Sequence, residues 1–474
     1  MRKISCWIMM ILALSCQQLF AAQTLTLEES RDMALKNNYT VKNSRLEIDA
    51  SLEKKKEVFT KFFPKVGAEG MIYSAEDNLL NIMDAGMLKS GTMGMLSAVQ
   101  PVFAGGRIIS GYRLASLGED VSKQKSRVSE NEVLFKTEEY YWQIVSLDEK
   151  MLTLGKYRDF LSRLQFQADD AFAAGLILKN DVLKVKVKVS EVLLLQAKVE
   201  NGRQVALMAF CQHIGIPYDA TLKLAPPPDE AVSPQAFWVH HPDALKTRLE
   251  YQLLESSVRA EELQTKIKIG EYLPQVGIGV GELYMKFDEA PLRFMGMNLG
   301  TASVTQSTGM IFGMVSVPLS GLWEASHALG ERKVKERIAQ NNFHHLSELL
   351  LLQMQKAWQD LNDSYKQVRL SEEAKKQAEE NLKMNQVSYD NGLSTLTDLL
   401  EAQAALQQMN DQLTDAKMNY QMKKSLYFQV TGRYRHTRSN MPAQDETIGL
   451  YADISQEKPT RIIPTPKGKL ITSF

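Results

Sequence analysis

Apolar residues recur three and four positions apart, as at Leu147, Met151, Leu154, Leu161 and Leu164, through a proline-free stretch of roughly 70 residues between Gly106 and Ala174. That spacing marks one face of an α-helix, and at 1.5 Å per residue the helix would be roughly 100 Å long. Globular domains rarely hold such a rod, so the pattern predicts a coiled coil or a helical tube. The same period returns over residues 180–213 and 322–389, and again from the neighbourhood of Asp398 to about Tyr434. An earlier helix is predicted from Thr26, which stands in capping-box spacing with Glu29, to about Phe63, where Pro64 ends it. Between helices the period drops to two. Val66, Ala68, Gly70 and Ile72 alternate with Lys65, Gly67, Glu69 and Met71, and alternation returns over residues 92–102, 275–283 and 310–317. Residues 77–91 read as a polar loop. The fold class expected is mostly α with a small β part: long helical hairpins and four antiparallel strands.

The pattern occurs twice. In AFAAGLILKNDVLKVKV (171–187) and SYDNGLSTLTDLLEAQAA (388–405), a Gly closes one long helix and an Asp six residues later opens the next. Gly175 and Gly392, Asp181 and Asp398, and Pro101 and Pro318 are each 217 positions apart. The chain therefore reads as an internal duplication, with a first repeat over 23–230 and a second over 231–436. Each repeat holds a helix, a β-hairpin, a long helix and a return helix. Residues 437–474 lack a period and read as a tail, surface-lying or disordered. Arg45-Leu46-Glu47 pairs with Arg248-Leu249-Glu250 at 203 positions, whereas Pro64 pairs with Pro274 at 210. The difference of seven predicts a first helix two turns longer in the second repeat, its apolar face kept in phase.

Composition narrows the classes. Fifty-six basic and 56 acidic residues cancel, so no nucleic-acid-binding field is implied. Residues 1–22 have the form of a signal peptide, with Arg2 and Lys3 before the apolar run 4–14 and small residues at Ala21 and Ala22. Cleavage there removes Cys6 and Cys16 and leaves Cys211 alone, which excludes an intramolecular disulfide. In a second reading, Ala-Leu-Ser-Cys16 is a lipoprotein site and Cys16 is acylated. Beyond the signal no apolar run reaches the roughly 18 residues of a spanning helix, so any membrane crossing falls to strands. Four strands cannot close a membrane barrel, which needs at least about eight, and lipid tolerates no open edge. Other copies of the chain must then complete it; two give eight strands and three give twelve, and periodicity does not choose between them.

The opening LTLEESRDMALKNN, the duplicated hairpin plan, QPVFAGGR and the tips GLILKND and GLSTLTD, taken in order, resemble the TolC family of outer-membrane efflux proteins. The resemblance covers residues 24 to about 435. It implies a homotrimer whose twelve-stranded barrel lies in the lipid of the bacterial outer membrane and continues as a helical tunnel into the periplasm. It further implies docking to a periplasmic adaptor (membrane fusion) protein and an inner-membrane pump of RND or ABC type. The chain would be a passive conduit for tripartite efflux or type I secretion, not an enzyme, and would need no cofactor. The alternative is a secreted or periplasmic coiled-coil scaffold or adhesin without a pore; paired strands at equal places in both repeats distinguish the two.

By the same resemblance the acidic ring of the closed entrance falls on Asp398 and Glu401, spaced i,i+3 on one helix face. Three copies would gather six carboxylates able to bind cations. Asp181 and Tyr389 fall on positions that link neighbouring coils, and Gly175 and Gly392 on the hairpin turns. Where the family has a linking Arg two residues past the Gly, this chain has Ser394, which leaves another cation such as Lys179, or a looser closure. A plainer reading has Asp398 as the helix cap of Thr395. GIGVG at 277–281 lies inside an alternating strand with no helix after it, which argues against a nucleotide loop and for a crowded or aqueous barrel interior. His240-His241 and His344-His345 lack ligand spacing, so no metal site is read there. No nucleophile stands with a base, and none of the residues points to catalysis.

Overall fold

Both long rods exist and set the scale of the molecule. The computed structural model describes residues 24–74, 80–82, 85–87, 90–226, 231–294, 297–319 and 321–434. In chain order the first repeat contains β1 (Thr24–Leu25), α1 (Leu27–Asn37), α2 (Tyr39–Phe59), β2 (Lys65–Ser74), β3 (Leu80–Ile82), β4 (Ala85–Met87), β5 (Ser90–Ala104), α3 (Arg107–Ala173), α4 (Lys179–Ile214) and β6 (Lys223–Leu224). The second contains α5 (His241–Thr247), α6 (Leu249–Glu271), β7 (Gln275–Phe294), β8 (Met297–Ser316), α7 (Gly321–Asp390) and α8 (Leu396–Val430). With 67 and 70 residues, α3 and α7 are each about 100 Å long. The signal peptide, Cys6, Cys16 and the tail lie outside the described residues.

The helix expected from Thr26 to Phe63 is two helices. Asn38 leaves the helical region (φ −61°, ψ 132°) and its side chain accepts from the amide of Thr40 at 2.8 Å, capping α2. The break is fixed from outside: Asn38 Nδ2 donates to the carbonyl of His213 (2.9 Å) and Asn37 Nδ2 to that of Ile214 (3.2 Å). The last carbonyls of α4 thus find donors, and α4 abuts α2 end to end along α3. The second repeat breaks in the same place, at Arg248 (φ −73°, ψ 133°). Asn38 and Arg248 are 210 positions apart, like Pro64 and Pro274. The pairing of Arg45 with Arg248 is therefore a slip by one heptad, which helical phase alone cannot detect. Both first columns are equally long, and the seven extra residues lie in the second β-hairpin, between Pro274 and Pro318.

The four long strands form one antiparallel sheet in the order β2-β5-β7-β8. Continuous registers run through it, with Lys65 opposite Val99, Val99 opposite Gly279 and Gly279 opposite Phe312. β7 and β8 hold 20 residues each, well beyond the stretches expected, and part of the loop expected over 77–91 is the small β3–β4 ribbon. Alternation divides the sheet into two faces. One carries Val66, Ile72, Leu96, Ile278, Val280, Ile311 and Val315, all exposed; Ile72 and Ile311 are 84% and 83% accessible. On this face Glu282 accepts from Ser307 Oγ across the strand pair (2.5 Å). The other face is closed in on β7, where Gly277 and Gly279 are buried. The ring of Phe312 lies where a Cβ on Gly279 would stand, 2.5 Å away. The GIGVG glycines thus serve strand packing in a crowded interior.

Side chains from both repeats pack in corresponding places. Around α3 the core holds Val41, Tyr141, Ile144, Phe210 and Ile214; around α7 it holds Met354, Leu361, Tyr420 and Tyr427. Ile144 and Leu361, and Phe210 and Tyr427, keep the 217-residue offset. A parallel β1–β6 ribbon, absent from the sequence reading, closes the first core, and Tyr141 Oη donates to Ala225 O at 2.9 Å beside it. Glu138 of α3, 1% exposed, joins the repeats: it accepts from Arg31 Nε of α1 (3.0 Å), from Ser425 of α8 and from Tyr434. Burial dominates Tyr434 and pushes its hydroxyl well above the usual phenol range, with Glu138 adding to the shift.

Where the sheet meets the helices, two glycines touch. A Cβ on Gly270 would lie 2.4 Å from the carbonyl oxygen of Gly105 and 2.5 Å from Arg107 Cγ. Gly270→Ala is expected to lower the stability of the folded protein by about 1–3 kcal/mol, read as a fall in thermal midpoint. An unchanged midpoint would mean that α6 does not seat against the β5–α3 corner.

Candidate functional site

The two helical tips are built by the same local rule. At Gly175 (φ +76°) the amide of Leu176 donates to Ala171 O and that of Gly175 to Phe172 O; at Gly392 (φ +73°) Leu393 reaches Ser388 O and Gly392 reaches Tyr389 O. Each is a Schellman closure, which requires the left-handed backbone that glycine adopts without strain. Gly175 stands between α3 and α4, and Gly392 between α7 and α8.

The tips of one chain share a core. Leu161, Leu164, Val182 and Val185 of the first hairpin pack with Leu396, Leu399 and Leu400 of the second, and Tyr389 covers the edge. Burial of that face orients α8. Leu396, Leu399, Leu400, Gln403 and Gln407 are buried, whereas Asp398 and Glu401 lie on the opposite, exposed stripe. The expected i,i+3 pairing on one face is present. Asp398 is also a cap: Thr395 Oγ1 and N donate to its carboxylate at 2.7 and 2.9 Å, and its amide donates to Thr395 Oγ1 at 3.2 Å. The hydroxyl first and the backbone amide second hold the Asp398 carboxyl below its usual range. Capping and exposure coexist, so the two readings of this residue are compatible.

Of Asp181 and Tyr389, Asp181 is engaged by a cation that the sequence reading missed. Lys184 Nζ lies 3.2 Å from Asp181 Oδ1 and donates to Thr397 Oγ1 at 3.1 Å, bridging α4 to α8. Lys184 stands one turn after Asp181, and only the fold brings Thr397 to it. Ser394 donates to Asn385 O at 3.4 Å, within its own hairpin. Tyr389 is half-buried; burial, then Asp181 and Asp390, push its hydroxyl upward. Further from the tip, Lys150 pairs with Asp415 (2.7 Å), and Gln407 donates to Thr153 (3.3 Å) and Asp411 (3.1 Å). Burial raises the Asp411 carboxyl, Lys150 opposing and Asp415 adding to the shift.

Elsewhere, His240 Nδ1 contacts Asp243 (2.9 Å) and His241 Nε2 the hydroxyl of Tyr427 (3.4 Å). Among the described residues no group of His, Cys, Asp and Glu is gathered for a metal, and no helix is long and apolar enough to cross a membrane.

Lys184→Met and Thr397→Val should each quicken amide exchange over residues 176–181 and 392–398 several-fold, the double variant adding little to either single one. Strict additivity would deny the link. Lowering the pH should also loosen the first turn of α8. The lowered Asp398 pKa means its cap contributes fully above the unfolded carboxylate value and is lost as pH falls through the folded one. Exchange there that ignores acid would contradict the cap.

Residues 242–427 match the sequence model of a family described as outer membrane efflux protein. A search of curated proteins finds no significant match. In structure the chain is similar to the outer membrane protein VceC from Vibrio cholerae (TM-score 0.71, 14% identity, covering 86% of this chain and 96% of that one). It is also similar to the CmeC outer membrane channel of Campylobacter jejuni (0.71, 14%, 87% and 87%). A third similar structure is the open state of the MtrE outer membrane channel of Neisseria gonorrhoeae (0.63, 13%, 86% and 89%). Residues 242–427 thus match the outer membrane efflux protein family, and most of the described chain shares the fold of the outer membrane proteins VceC and CmeC.

Proposed function

We propose that three copies of this chain close a twelve-stranded barrel in the outer membrane and continue it as a helical tunnel, forming the exit conduit of a tripartite export assembly. The observation that carries the reading is the four-stranded sheet. Among the described residues β2 pairs only with β5 and β8 only with β7, and one whole face is exposed and largely apolar. In lipid both edges need partners. Two copies give eight strands, a barrel whose interior side chains fill; twelve is the next multiple of four and opens a lumen. The helices support the same closure. α3 and α8 pack together inside the protomer, while α4 and α7 expose Val187, Leu194, Val334 and Ile338 along its flanks, where a neighbouring copy would cover them.

The tips form the entrance. In a threefold ring Asp398 and Glu401 supply six carboxylates on exposed stripes, while the shared apolar core and the Lys184 bridge hold the two hairpins of each protomer together. Opening then means parting hairpins rather than unfolding them. That one similar structure is described as the open state of a channel supports a gate of this kind. Partners are a periplasmic adaptor at the tips and an inner-membrane pump of RND or ABC type, which supply energy and choose the cargo; the conduit supplies a wall.

Purified protein in a planar bilayer should conduct, and a multivalent cation such as hexaamminecobalt should block it. Asp398→Asn with Glu401→Gln should raise the half-blocking concentration about tenfold or more. Unchanged block would remove these residues from the constriction, and a water-soluble, non-conducting rod would favour a scaffold.

A further inference from the structure

Where β2, β5, β7 and β8 meet the ends of α2, α3 and α6 lies a cavity of about 610 Å³, in the size range of sites for small organic ligands. Lys65, Val99, Pro101, Gly277 and Met314, which line it, belong by register to the enclosed face of the sheet, opposite the exposed apolar one. In a barrel whose apolar face meets lipid, the cavity opens to the lumen.

Its chemistry is lopsided. Val99, Phe103, Leu114 and Ile267 give an apolar wall, and Lys61, Lys65 and Arg107 stand around it. Among the described residues these three cations make no ion pair and no side-chain hydrogen bond, and Arg107 Nε is buried with no partner. The carboxylates nearby are already taken: Glu271, on the cavity wall, is held by Lys268 at 2.7 Å, and Glu57, near Lys61, by Lys54 at 2.6 Å. In a chain with as many acids as bases, three unneutralised cations beside an apolar wall are a place for an anion that brings its own apolar body. The site is also preorganised, since Arg107 begins α3 directly after the Gly105–Gly106 turn and its Cγ is pressed against Gly270.

We infer that this cavity is a binding station inside the conduit for an anionic amphiphile. The three cations hold a sulfonate, carboxylate or phosphate head, and the apolar wall covers the body. The inference rests on the channel reading and deepens it by naming a class of cargo.

The test uses the full-length trimer in planar bilayers of phosphatidylcholine with two probes of the same ring system, anilinonaphthalene sulfonate and the uncharged N-phenylnaphthylamine. The sulfonate should reduce the current, and Lys61→Gln with Lys65→Gln should raise its half-blocking concentration about tenfold. Lys61→Arg with Lys65→Arg should keep the block, the uncharged probe should not distinguish the variants, and inorganic sulfate alone should block neither. Equal block of wild type and the double Gln variant, or equal loss for both probes, would overturn the site. Relief of the block by phosphatidylglycerol in the bilayer would assign the cavity to a membrane lipid instead. Absence of any conducting particle would overturn the channel reading, and the site with it.

Discussion

Unpaired backbone at the two edges of the sheet is the constraint from which the architecture follows. β2 and β8 each present a row of amides and carbonyls with no partner among the described residues, and lipid offers none. A water-facing protein would blunt such edges with charge or proline. This one sets beside them a face of Val, Leu and Ile, many more than half accessible. The proposed closed ring of copies immersed in lipid would satisfy edges and apolar face together. In that ring the helices would inherit the symmetry of the barrel.

Below the sheet the demands change from backbone pairing to side-chain packing. Each long rod needs cover along about 100 Å, and two shorter columns laid end to end provide it. The seam between columns is where backbone groups are left over, and Asn37 and Asn38 satisfy the carbonyls of Ile214 and His213 there. Glu138 does the same work between repeats, tying Arg31 near the start of the described chain to Ser425 and Tyr434 near its end. At the far tip cohesion is mostly apolar with a few polar links.

Much of this was legible in the residues because the signals were periodic. The 3.6-residue pattern placed both rods, the alternation placed four strands, and glycine located the tips to the residue, since Gly175 and Gly392 close their helices by the same two hydrogen bonds. What failed were features fixed by tertiary partners. Nothing around Asn38 or Arg248 breaks a helical pattern; the helix ends packed against them do. The seven-residue offset was assigned to a helix because a heptad shift leaves an apolar face unchanged, whereas the structure puts it in the β-hairpin. Lys184 escaped notice because Thr397 is 213 positions away. Asp398 and Glu401 share one exposed stripe, and the role proposed for them depends on a ring that a single chain does not contain.

The central claim, that the chain is an incomplete wall finished by identical neighbours, is tested most directly by native mass spectrometry of the detergent-extracted protein, with hydrogen exchange read at the edge strands of the same particle. The account predicts particles of three chains in which the amides of Lys65–Ser74 and Met297–Ser316 exchange as slowly as those of the interior strands β5 and β7. Single chains with fast-exchanging edges, or a stable two-chain particle, would contradict it.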